Sequence, residues 1–294
     1  MGEIPGRDQA IILADAGVRG AFFGWAAVRT VNSRMTLFSL PFVASGFVVG
    51  FAVGMTGVGG GSLMTPILLI GFRLHAVTAV GTDLLFAAIT KSCGTAVHQI
   101  GHNIEWKLVG LLAAGSVPAA VGTILVLHHS DLDGQAISAL ISHALGFALL
   151  LTALSLIYRR YIMRISAILA LNNRPRTQTA ATIVLGSMLG VLVTLSSVGA
   201  GAIGIAVLVV LRPRLPIARI IGSDIAHAVP LTLLAGLGHL LIGTANLALL
   251  ASLLIGSLPG IVLGSLLAPR VPERVLRLLL SIILAAVGGR LVIA

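Results

Sequence analysis

The stretch GMTGVGGGSLMTP, residues 54–66, places five glycines in eight consecutive positions. On both sides of it the chain is apolar for long enough to build membrane-crossing helices, which take about 20 residues each. Glycine is a poor helix former, and at membrane depth every backbone N–H and C=O must find its partner within the protein. A broken, glycine-lined backbone there has two readings. Either helix-terminal amides are left free to hold an anion or line a pore, or small residues are letting helices pack closely.

The composition places the whole chain in the bilayer. Of 294 residues, 57% are hydrophobic and 10% charged, with a mean hydropathy of +1.08, far outside the range of a soluble domain. The ten-residue alternation of an outer-membrane barrel is missing, so the expected fold is an all-α integral membrane protein. A net charge of +10 would suggest nucleic acid in a soluble domain. Here it reads as basic loops that orient the chain, and with aromatics at 4% no nucleic-acid partner is expected. The lone Cys93 rules out an intramolecular disulfide and reads as a small buried packing residue. Residues 1–35 form a basic, amphipathic segment without the apolar core of a cleavable signal peptide; an interfacial helix and an extra span both remain open.

The chain contains two copies of one unit. VGGGSLMTPILLI (58–70) aligns with VGAGAIGIAVLVV (198–210) at an offset of 140 residues. After a one-residue insertion the offset is 141, and Gly81-Thr82-Asp83 falls on Gly222-Ser223-Asp224, His98 on His239, and GSVP (115–118) on GSLP (256–259). Each unit reads as a glycine-broken hairpin followed by three helices. The first unit, residues 36–157, predicts 36–57 with 61–72, then 76–100, 108–127 and 137–157. The second, 179–294, predicts 179–198 with 201–211, then 217–241, 246–268 and 275–293, after a basic cytoplasmic linker at 158–178. The arms 61–72 and 201–211 rise only ~17 Å, too short to cross, and are expected to be re-entrant. If the two units are inverted, twelve of the nineteen basic residues share one side, which should be cytoplasmic. The N-terminal arginines are the misfit in that arrangement.

Inverted repeats with facing hairpins bring both breaks towards the bilayer midplane, where alternating-access transporters bind substrate. Gly59, Gly60, Gly61 and Ser62 would supply one half of an oxyanion site, and Gly199, Ala200, Gly201 and Ala202 the other. Two soluble readings of the same letters fail. A phosphate loop needs Gly-Lys-Ser/Thr where this run has Gly-Ser-Leu, and a dinucleotide fingerprint needs a preceding strand.

Ionisable residues inside spans are functional candidates by default. Asp83 and Asp224 stand near the starts of equivalent helices, where they can cap the helix, carry a proton or gate a substrate. His98 and His239 suit proton coupling or attraction of an anion, and equally a polar cap bonded to the next loop. Lys91 has Thr232 as its counterpart; it can neutralise a bound anion or snorkel and pair with a carboxylate, and the sequence does not separate the two. His98 and His102 are spaced i, i+4, but Gly243 replaces the second and no Cys or Glu completes a zinc set. No metal, no other cofactor and no enzymatic nucleophile is expected.

At this point the sequence resembles the TauE/SafE sulfite exporter family. The likeness is carried by GFVVGFAVGMTGVGGGSLMTPILL, VTAVGTDL, His98 and GSVPAAVGT, with weaker second copies, and covers about residues 40–294. The resemblance implies a multi-pass carrier of the bacterial inner membrane for small sulfur-containing anions, sulfite or organosulfonates, driven by the proton motive force. It implies that Gly59 to Ser62, Thr82, Asp83 and their repeat partners, Ser223 among them, border the transport path; in a transporter, Ser62, Thr82, Ser196 and Ser197 are the expected hydroxyl donors. A passive anion channel and a non-transporting scaffold are the alternatives, and a homodimer is left open. The second copy departs from the pattern: SSVGAGAIG lacks the triple glycine, and Ala206 stands where Pro66 does. If the glycines serve a ligand, Gly60→Leu abolishes transport in proteoliposomes while the protein still inserts and runs as a single species; retained transport would mean they serve packing alone.

Overall fold

The computed structural model describes residues 39–56, 61–129, 134–158, 161–162, 175–267 and 273–293. The N-terminal segment, Gly59 and Gly60, and most of the basic linker lie outside these residues. The described residues are helical nearly throughout. In the first unit α1 is Leu40–Thr56, α2 Gly61–Pro66, α3 Ala76–Ile100, α4 Trp106–His129 and α5 Gly134–Ile157. In the second, α6 is Pro175–Ser196, α7 Ala202–Leu211, α8 Ile217–Leu241, α9 Leu247–Leu267 and α10 Glu273–Ile293. Six of these, α3 to α6 with α8 and α9, are long and apolar enough to span a membrane. The fold is therefore an all-α, multi-span membrane fold.

The two short arms differ for a local reason. Pro66 has no N–H to donate, and the helix that reaches it continues as a π-helical turn, Ile67–Gly71. Its counterpart Ala206 keeps its donor, and α7 runs as an α-helix to Leu211.

Helices of one unit pack mainly on helices of the other: α1 on α9, α4 on α6, α3 on α8 and α5 on α10. The first two pairings are set by glycines at which a side chain has no room. A Cβ at Gly46 would lie 2.2 Å from the Leu253 carbonyl oxygen, and one at Gly256 would lie 1.8 Å from that of Val43. The same contacts recur at the repeat offsets, with Gly186 2.2 Å from the Leu112 oxygen and Gly115 2.0 Å from that of Ile183. Small residues that let backbones approach are what hold helices together in lipid, where burying apolar side chains against each other gains little.

The α3/α8 pair is the centre of the molecule. Of the spanning stretch of α3, 72% is buried, and of α8 61%, against 28–44% for the other four spans. The two run antiparallel, since Gly81 meets His239 and Gly222 meets His98. Even α3 keeps an outer stripe of Ile89, Ser92, Cys93 and Ala96. Cys93, expected as a buried packing residue, is thus exposed, because its position in the helical period falls on that stripe.

The glycine contacts make a direct prediction. Gly186→Ala places a methyl group against a carbonyl and should cost about 1–3 kcal/mol, seen as a lower melting temperature in detergent. Gly110→Ala, with nothing within 4 Å of the new atom, should leave it unchanged or raise it.

Candidate functional site

The second glycine break is the part of the site described in full. At the end of α6, Ser197 takes a left-handed backbone, φ 58°. Gly199 at φ 123° and Gly201 at φ 125° then reverse the chain into α7, conformations that L side chains rarely adopt. The Ser196 hydroxyl donates to the Leu192 carbonyl at 2.6 Å and accepts from the Val198 amide at 3.2 Å, tying the break to its own helix. Gly201 caps α7 without any side-chain hydrogen bond.

Lys91 reaches this break from the other unit. Its Nζ donates to the Ala200 carbonyl at 3.2 Å while the residue is buried, and its charge faces both Asp224 and Asp83. Thr232, its counterpart, donates back to its own helix at Ala228, 2.7 Å away. Lys91 is thus a buried basic residue of the first unit that touches the glycine break of the second. The antiparallel crossing sets Lys91 at a level between the two aspartates.

The carboxylates are held differently. Thr65 on α2 donates to Asp83 Oδ2, and the Ser197 hydroxyl also faces that carboxylate, outside hydrogen-bond geometry. Asp83 Oδ1 and both oxygens of Asp224 are buried without a hydrogen-bond partner. The counterpart of Thr65 is Ile205, which offers no hydroxyl. Instead Asp224 lies against α7 at Gly204, where a Cβ would stand 2.2 Å from its Oδ1, and faces the Gly201 amide beyond hydrogen-bond geometry. Neither aspartate caps its helix: each stands well inside it, seven residues after Ala76 and Ile217.

The Thr82 and Ser223 hydroxyls are both engaged, as acceptors, by backbone amides of the other unit. The Thr82 hydroxyl accepts from the Asn246 amide at 3.0 Å, and Ser223 accepts from the Glu105 amide at 2.8 Å. Each hydroxyl thus satisfies a backbone donor just before the first turn of a helix in the other unit, α9 or α4. The histidines lie at the far ends of the central pair. His239 is buried, with Nδ1 3.0 Å from the Thr244 hydroxyl and Nε2 3.1 Å from the Thr194 carbonyl oxygen, so Nε2 carries the proton and donates. That is the cap to the next loop, extended to α6. His98 packs on Gly222, and its carbonyl accepts from the Asn103 amide at 2.9 Å.

The structure thus brings Lys91, Asp83, Asp224, Ser197 and the Gly199–Gly201 turn together, and places His98, His239, Thr82 and Ser223 elsewhere. Ser196 is turned to its own helix. Gly61 and Ser62 open α2, but their side-chain surroundings lie outside the described residues. Two residues were missed in the sequence. Gly204 makes room for Asp224, and His227, one turn after Asp224, is fully buried with Nε2 2.8 Å from the Ser116 hydroxyl. An ionisable residue inside a span was the available signal, masked because its repeat counterpart is Phe86. Among the described residues no group of three or more His, Cys, Asp or Glu could hold a metal ion.

The family described as "Sulfite exporter TauE/SafE" matches residues 42–291. The chain belongs to the TauE/SafE family. The chain is 37% identical over 218 residues to the "Probable membrane transporter protein YjnA" of Bacillus subtilis, covering 72% of this chain and 84% of that protein. YdhB of the same organism, with the same description, is 27% identical over 69% of this chain and 80% of its own length. A membrane transporter so described from Methanocaldococcus jannaschii is 26% identical, covering 65% and 68%. No solved structure matches the chain significantly. A TauE/SafE protein is a membrane transporter rather than an enzyme, and the six long apolar helices among the described residues agree with the multi-pass location expected in the bacterial inner membrane.

Because Thr82 supplies the acceptor for the Asn246 amide, Thr82→Val should cost about 1–3 kcal/mol, the penalty of an unsatisfied buried group. Thr82→Ser should restore it. Thermal unfolding of the purified protein checks both, and an unchanged midpoint for Thr82→Val would show that the hydroxyl does not hold α9.

Proposed function

We propose that this protein is a secondary transporter that moves a small sulfur-containing oxyanion, sulfite or an organosulfonate, out of the cell at the expense of the proton motive force. The observation that carries the reading is Lys91. A buried ammonium bound to the turn between Gly199 and Gly201 is what an anion site at a helix start requires. The family description, which names sulfite export, supplies the substrate class.

The charge balance supports coupling to protons. One ammonium faces two carboxylates, three of whose four oxygens lack a hydrogen-bond partner. An oxyanion entering beside Lys91 competes with Asp224 for the same cation. A proton on Asp224 relieves that competition, so anion and proton occupy the site together. Asp83, held by Thr65, is the second proton candidate. On this reading the ends of the central pair, His98 and His239, act as gates rather than as ligands.

Two inverted repeats with re-entrant hairpins complete the proposal. Its support is that every principal helix pairing maps onto a principal pairing when the units are exchanged. α3 on α8 and α5 on α10 map onto themselves, and α1 on α9 maps onto α4 on α6. Such an arrangement has two near-equivalent states, as alternating access requires.

Proteoliposomes test the function. Sulfite flux should saturate and accelerate with an imposed pH gradient; linear, gradient-independent flux indicates a channel, and no flux of sulfite or sulfonates sinks the proposal. Lys91→Gln should weaken substrate affinity by about 10- to 150-fold, the value of roughly 1.5–3 kcal/mol for a hydrogen bond to a charged group. Asp224→Asn should keep downhill flux and lose its acceleration by the pH gradient. If that acceleration persists in both Asp224→Asn and Asp83→Asn, neither carboxylate carries the coupled proton.

A further inference from the structure

At the opposite end of α7 from the glycine break, ~15 Å away by helical rise, a cavity of ≈280 Å³ opens between the starts of α4 and α6 and the turn after α7. Its polar lining is Glu105, Lys107, Gln178, Thr179, Arg212 and Arg214. α4 and α6 run parallel here, since Leu112 meets Gly186 and Ser116 meets Gly190 in step. Both therefore direct the positive ends of their dipoles at the cavity. Three cations share it with one carboxylate, and that carboxylate, Glu105, is already paired with Arg219 at 3.7 Å. Arg212 is partly used: Nη2 donates to the Thr182 hydroxyl at 3.2 Å, while its Nε–H is buried without an acceptor. Partial burial pulls this guanidinium below its ordinary pKa, and Glu105 pulls it back.

The other unit shows that the fold does not need this chemistry. At the 140-residue offset, Thr182 and Arg212 correspond to Phe42 and Phe72. Those two rings pack directly, with centroids 4.6 Å apart. One end of the molecule thus closes the same junction with an aromatic pair, and the other with a hydroxyl and a half-satisfied guanidinium beside a basic cavity. Snorkelling alone would bring a guanidinium to the interface, but it would not leave Nε buried and unpaired.

We propose that this cavity is a second anion site, taking a tetrahedral oxyanion of the phosphate type on Arg212, Arg214 and Lys107, with Gln178 and Thr179 beside it. A guanidinium, with its planar fork of donors, is suited to such a group. A phospholipid headgroup and a free oxyanion share this chemistry, and the site is independent of the transport reading, since neither Lys91 nor either glycine break takes part.

The test uses the full chain in two kinds of nanodisc. In phosphatidylcholine discs, inorganic phosphate is titrated at constant ionic strength and the melting temperature followed. In a second arm, phosphatidylglycerol replaces part of the phosphatidylcholine without added phosphate. The melting temperature should rise in at least one arm: a phosphate response identifies a soluble oxyanion, and a lipid response identifies a headgroup. The double variant Arg212→Gln/Arg214→Gln should raise the half-saturating concentration about tenfold or more, as loss of charged hydrogen bonds does. Thr182→Phe/Arg212→Phe, which copies the aromatic pair of the other unit, should remove the response while leaving a folded protein. If neither arm responds, or if the response survives unchanged in Arg212→Gln/Arg214→Gln, the site does not exist.

Discussion

Helices in hydrocarbon gain little by turning apolar side chains towards each other, because lipid is as apolar as leucine. What holds them is close packing, and here it reaches backbone contact. At Gly46, Gly256, Gly115 and Gly186 the neighbouring helix leaves no room for a single added carbon. These contacts join a helix of one unit to a helix of the other, in two places related by the repeat offset. The two clamps, α1 on α9 and α4 on α6, set the units against each other and leave the α3/α8 pair at the centre. The burial of Asp83, Lys91 and Asp224 follows from that placement.

The repeats have the same skeleton and different chemistry. Thr82 and Ser223 make the same hydrogen bond to the opposite unit, and the chain turns after His98 and His239 are closed by the same backbone bonds. These shared contacts are structural. Some of the differences fall at or beside the proposed ligand sites. Lys91 has a threonine as its counterpart, Thr65 an isoleucine, His227 a phenylalanine, and Arg212 a phenylalanine. Internal symmetry thus separates what the fold needs from what one face of it has acquired.

Much of the architecture was legible because its signals are local. Apolar runs marked the helical segments among the described residues to within a few residues, and the offsets of 140 and 141 marked the pairs of equivalent positions. The π-helical turn after Pro66 was not anticipated, although a proline inside an apolar arm was its signal. Within the candidate site the sequence pointed to Lys91 and both aspartates, because a charged residue in a span stands out. It could not show that Thr82 and Ser223 are engaged by backbone amides of the other unit, since those partners stand 164 and 118 residues away.

The sequence by itself determined that this chain is an all-α, multi-span membrane protein, and it carries a glycine-rich motif repeated at a fixed offset. Hydropathy, helical rise and a repeated motif suffice for that, each read over a few dozen residues. Only the tertiary structure decided which polar groups remain unspent. Whether a buried hydroxyl, carboxylate or guanidinium is free for a ligand depends on donors and acceptors brought to it from distant segments. The Ser196 hydroxyl proved to donate its proton to its own helix and those of Thr82 and Ser223 to accept from distant amides, while Asp224 and the Nε–H of Arg212 have no hydrogen-bond partner.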